Sequence, residues 1–131
     1  MDDRIDAFKE KLQQLIESES VGLGENLEEK IPAGPGVYRL LERGRSWDQS
    51  LYVGKSLNLR RRLIKDHVHG NQRRSSVRDE LLDRGICQSE EQVTQYLTQD
   101  CAVQFIEIMD PHERARLAHF GLAVLQPMVE G

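Results

Sequence analysis

Long apolar runs are missing from this sequence. None approaches the roughly 20 residues that a bilayer-spanning helix needs, which excludes a membrane segment of that kind. Cysteine is scarce: Cys87 and Cys101 sit in no metal-ligand spacing and are too few for a disulfide framework. Both are expected as reduced structural thiols, with Cys101 buried at the head of an apolar run, and zinc is not supported. Internal repeats and low-complexity tracts are absent. The opening residues, Met1-Asp2-Asp3-Arg4, are acidic and lead into a polar helical stretch, unlike a signal peptide, so a cytoplasmic location is expected.

What remains is an ordinary folded domain. At 131 residues, 38% hydrophobic and 31% charged, the chain supports one modest core. The net charge of -4 is unevenly spread. Residues 55 to 78 hold eight cations (Lys55, Arg60, Arg61, Arg62, Lys65, Arg73, Arg74 and Arg78) against one acid, Asp66. That window carries +7 and leaves -11 for the rest of the chain. A local field steers a polyanion more than total charge does, so a nucleic-acid partner is not excluded by the acidic sum.

Apolar positions Ile5, Phe8, Leu12, Leu15 and Ile16 predict an amphipathic helix over residues 2 to 18. A glycine- and proline-rich loop follows, and residues 1 to 31 read as a helical arm and linker ahead of a domain spanning 32 to 131. Val37 to Leu41 and Leu51 to Val53 read as two strands of a hairpin. Ser56 is placed to cap a helix running to about Asp66, with Leu59 and Leu63 facing inward. Ser76 to Arg84 and a capping box at Ser89 open two further helices, and Val103 to Met109 is a third strand. Asp110-Pro111-His112-Glu113 starts a final helix that Pro127 ends. The sum is an α/β fold on a small antiparallel sheet of three strands.

Two short strings carry the chemistry: Gly36-Val37-Tyr38, and fourteen residues on Tyr52-Val53-Gly54, running into Lys55-Ser56-Leu57-Asn58-Leu59-Arg60-Arg61-Arg62. Tyrosine in a strand is ordinarily just an amphipathic core residue. Two on adjacent strands, with Lys55 past the strand end and Arg62 about two helical turns on, can instead converge on one anion pocket. Arginine offers a forked grip on a phosphate, and a lysine lowers the pKa of a phenol beside it. Arg60, Arg61, Lys65, Arg73, Arg74 and Arg78 are then DNA-backbone contacts or a solvated face. Trp47 could stack on a base or on its own hairpin, and Asn58 could serve as a ligand or as a local backbone partner.

These strings, with Asn58-Leu59 and Arg62, resemble the signature of GIY-YIG nucleases, which include the N-terminal incision domain of UvrC and some homing and restriction endonucleases. The resemblance covers about residues 33 to 128. It implies a GIY-YIG nuclease fold with an extra N-terminal helix, and a DNA endonuclease using one Mg²⁺ or Mn²⁺ ion. By that resemblance Tyr38 is the general base or water-positioning phenol, Tyr52 hydrogen-bonds in the site, and Arg62 grips the scissile phosphate. Lys55 would hold the first phenol toward phenolate. Some members carry a histidine four residues after the arginine; here Asp66 stands there and His67 one place later.

The departure is in the last helix. The family's metal-binding glutamate lies nine residues before the terminating proline, and that count lands on Ala118. Glu113, some 140° away around the helix, is a poor substitute and fits the helix cap better. Either the ligand was removed by deliberate substitution or the chain is a relative that has lost hydrolysis. In both cases DNA binding with very slow cutting is expected. The alternative is a dead nuclease fold acting as a DNA-binding or protein-interaction module, with the N-terminal helix as a partner surface. Double-strand cleavage would call for a homodimer.

Overall fold

Period-two alternation along the tyrosine strings decides which side chains share a face of the sheet. In the computed structural model, which describes all residues except 25, 45–48, 71–74 and 130–131, Tyr38 pairs with Gly54 and Leu40 with Tyr52. Both phenols therefore project from one face, while Val37 and Val53 project from the other. Trp47, Arg73 and Arg74 lie outside the described residues.

The elements run α1 (Asp2–Glu17), β1 (Val21–Gly22), α2 (Leu27–Lys30), β2 (Gly36–Glu42), β3 (Tyr52–Ser56), α3 (Leu59–Arg61, widening into a π-helix over Arg62–Val68), α4 (Ser76–Asp83), α5 (Glu90–Asp100), β4 (Cys101–Glu107) and α6 (Pro111–Leu125). Strand order is β1-β4-β2-β3, every pairing antiparallel. The sheet thus has four strands among the described residues rather than three. The addition is the two-residue β1, whose Val21 pairs with Val103. So short a strand carries no periodicity for a sequence reading to detect.

Helices cover both faces. Tyr38, Leu40, Tyr52 and Val103 pack with Leu59, Leu63, Val77, Leu81, Val93 and Leu97 from α3, α4 and α5. On the other face Val37 and Val53 pack with Leu12 and Leu15 of α1 and Leu117 and Ala118 of α6. Residues 1 to 31, expected as an arm, share these cores: Leu23, Leu27 and Ile31 join the first and α1 the second. No helix among the described residues is long and apolar enough to cross a membrane.

The glycines of the two strings are explained by close approach. A Cβ on Gly54 would meet the Tyr38 hydroxyl oxygen at 2.6 Å and the Tyr52 ring at 2.8 Å, so the phenols close over a bare backbone. A Cβ on Gly36 would strike the Ile106 carbonyl of β4 and the Leu59 side chain. The glycines are there so that tyrosines, strand and helix can touch.

Candidate functional site

The first tyrosine ends in a buried cluster. Tyr38, Tyr52 and His67 place their ring centroids 5.5 to 6.0 Å apart. The Tyr38 hydroxyl lies 2.6 Å from His67 Nε2, and His67 Nδ1 lies 2.7 Å from Ser75 Oγ. Ser75 caps α4, its hydroxyl oxygen accepting the Arg78 N–H. Either neutral tautomer completes the chain, because the Tyr38 and Ser75 hydroxyls can each donate to a bare ring nitrogen or accept from a ring N–H. Burial, assisted by the charges of Arg62 and Arg78, depresses the His67 pKa to about 3, so the ring is neutral.

His67 reaches Tyr38 because the helix widens. The His69 N–H donates to the Ile64 carbonyl five residues back, where an α-helix would use the carbonyl four back. In such a turn the fifth residue after Arg62 returns over the first, so His67 takes the inward position that an α-helix would give to Asp66. Asp66 still reaches Arg62, its Oδ2 accepting from Nη1 at 3.1 Å.

Tyr38 and His67 have no solvent exposure and Tyr52 is also buried. This corrects the expectation that the phenols line an open anion pocket. Burial, followed by Tyr52, pushes the Tyr38 pKa up, with Arg62 opposing, so the phenol is firmly protonated. Lys55 is exposed on the face of β3 opposite the phenols, in register with Val37. The environment of Tyr38 therefore runs against a phenolate, whatever Lys55 was expected to contribute.

Arg62 joins this cluster to the surface. It contacts the Tyr38 hydroxyl on one side and Asp66 on another. It also lines a cleft of about 520 Å³ with Lys55, Ser56, Asn58, Arg61, Asp66 and Arg114. Asn58 is the helix cap here, its Oδ1 accepting from the Arg61 N–H at 3.0 Å. Ser56, expected in that role, instead bonds the backbone of Asn58. Among the described residues, four cations from β3, α3 and α6 line this space with the carboxylate of Asp66, an arrangement that attracts an anion.

The remaining cations divide. Lys65 is exposed, and Arg60 is part-buried, its Nε donating to the Ile31 carbonyl at 2.8 Å. Arg78, expected on a DNA-facing surface, is buried. Its guanidinium donates to the carbonyls of His67 and Val68, to Glu90 and to Thr94. That grip closes the end of the widened helix onto α5. Arg114 escaped the sequence reading altogether. Its signal was a cation in the buried stripe Arg114, Leu117, Ala118, Gly121 of α6.

The residues present do not fit a divalent cation. Ala118 is buried among Leu12, Leu15, Val37 and Val53 and offers no donor. Glu113 is exposed and lines a different groove, between α1 and α6, with Arg4 and Arg116. Asp66 gives one oxygen to Arg62, and its other, Oδ1, is buried and has no partner among the described residues. No cluster of three acidic, histidine or cysteine side chains occurs among the described residues.

No family model and no curated protein matches the sequence. Among solved structures, the GIY-YIG N-terminal endonuclease domain of UvrC from Thermotoga maritima, bound to magnesium as its catalytic divalent cation, aligns with a TM-score of 0.51 and 19% identity. The alignment covers 82% of this chain and 98% of that one. A point mutant of the same domain, also bound to its catalytic divalent cation, aligns with the same score and identity over 82% and 97%. At such identity the likeness is one of architecture: this chain has the fold of the GIY-YIG endonuclease domain, on an antiparallel sheet with helices on both faces.

Proposed function

We propose that this chain binds DNA by its phosphate backbone, on a nuclease fold whose hydrolytic step is very slow or lost. The observation that carries this reading is the cleft of Lys55, Arg61, Arg62 and Arg114, four cations converging where one carboxylate is already held by Arg62. These cations are the kind of groups that the phosphate-gripping half of a nuclease site would need. The half that would supply a cation is not assembled, since position 118 is an alanine packed in an apolar cluster. A general base must also reach the water it activates, and Tyr38 is sealed behind Arg62. A slow metal-dependent endonuclease is the second reading, favoured by the contact of Tyr38, His67 and Arg62. One cleft addresses one strand, so action on both strands of a duplex calls for a second copy.

Binding of a short labelled duplex, followed by anisotropy across a salt series, tests the first half. With about four phosphates neutralised, log K should fall against log salt with slope about -3 to -4, and Arg62→Ala should flatten it by about one. A slope near zero would remove the cleft as a DNA surface. Supercoiled plasmid with Mg²⁺ or Mn²⁺ tests the second half: nicking no faster than with Arg62→Ala is expected. Ala118→Glu places a carboxylate among leucines and valines, and should cost on the order of 2–4 kcal/mol of stability without restoring cutting. Robust nicking by Ala118→Glu that Arg62→Ala abolishes would make the chain a nuclease missing one group.

A further inference from the structure

We propose that Arg114 supplies, from α6, the positive charge that a divalent cation would otherwise bring, so that the cleft holds a phosphodiester without metal. The inference deepens the DNA-binding reading and rests on it. Arg114 stands one helical turn before Ala118, so the two positions lie on nearly one face of α6, about 40° apart. The Arg114 side chain runs back toward the start of α6 and lines the cleft, where position 118 does not. Its Nη1 donates to the carbonyls of Ile108 at 3.0 Å and Met109 at 3.2 Å, which fixes the guanidinium beyond the end of β4. A cation held this way is pre-organised, and the guanidinium fork fits phosphate geometry.

The surroundings exclude a metal ion as well as failing to hold one. A divalent cation in the cleft would face Lys55, Arg61, Arg62 and Arg114, and the Asp66 carboxylate that lines it already gives Oδ2 to Arg62. Arginine, like a metal ion, can clamp the negative charge of a phosphate. Here α6 has the arginine at the cleft and an apolar contact at the ligand position.

The experiment uses the full chain and a short labelled duplex, titrated in EDTA and in Mg²⁺ at matched ionic strength. Equal affinity in the two is expected. Arg114→Gln should weaken binding roughly tenfold or more and lower the salt slope by about one, and Arg114→Lys should recover part of the loss. Loss of binding in EDTA overturns the proposal. So does an Arg114→Gln variant that is folded by circular dichroism and binds like the unaltered chain. Should Arg114→Gln fail to fold, the EDTA comparison and Arg114→Lys decide the matter without it. Absence of binding by the unaltered chain at low salt, with or without metal, sinks the DNA reading itself, an outcome distinct from binding that needs Mg²⁺.

Discussion

His67 links the buried cluster to solution conditions. Its ring is fully buried, neutral, and bonded at both nitrogens, to Tyr38 and Ser75. With its pKa depressed to about 3 in the fold against 6.5 ordinarily, the unfolded chain takes up a proton between those values and the folded one does not. Stability must therefore fall as pH drops below 6.5 toward 3, by about 1.4 kcal/mol per pH unit across the window. Urea midpoints measured from neutral to mildly acid pH should show this decline, and His67→Gln should flatten it. A midpoint equally pH-dependent in both proteins would mean that other groups govern acid unfolding. Tyr38 and Tyr52 were legible as a pair because two strings repeated their spacing around a strand pattern. Arg114 was not, because one of two arginines near the start of a helix gains meaning only from neighbours far away in the chain, at Lys55 and Arg62.

At the scale of elements, the π-helical turn of Arg62–Val68 is what brings histidine to tyrosine, and Arg78 is what holds that turn closed. Arg78→Ala would strip the carbonyls of His67 and Val68 of their partner and leave a buried gap. A loss of about 2–4 kcal/mol is expected, with Arg78→Lys nearly as harmful because an ammonium cannot fork to both helices. The DNA salt slope of Arg78→Lys, measured where it is folded, should be unchanged. A slope lowered by one unit with normal stability would return Arg78 to the DNA surface. From sequence alone Arg78 was one of eight cations in a basic window. Burial separates it from Arg61 and Lys65, and burial is a property of how α4 and α5 meet.

Across the whole molecule, α1 is part of the body. Leu12 and Leu15 fill the face of the sheet behind Ala118, and the Gln104 amide, which accepts from buried Arg39, donates to the Ile16 and Ser18 carbonyls. Deleting residues 1 to 18 should cost about 3–6 kcal/mol for the two leucines alone, a large share of the 5–15 kcal/mol typical of a domain. Circular dichroism with urea should show a much lower midpoint or no cooperative transition. An unchanged midpoint would mean that α1 contributes little to the stability of the fold. The amphipathic stripe announced that this helix packs on something. It could not say that the partner was the face carrying position 118.

The sequence by itself determined the local code: strand alternation, caps at Ser89 and Asp110, and the clustering of eight cations in one window. Each of these depends on neighbours within a few residues. Tertiary structure alone decided which cations face the cleft, which phenol is sealed, and whether position 118 meets solvent or leucine. Those outcomes depend on contacts between segments far apart in the chain, and on the free-energy cost of burying charge, which local pattern does not encode.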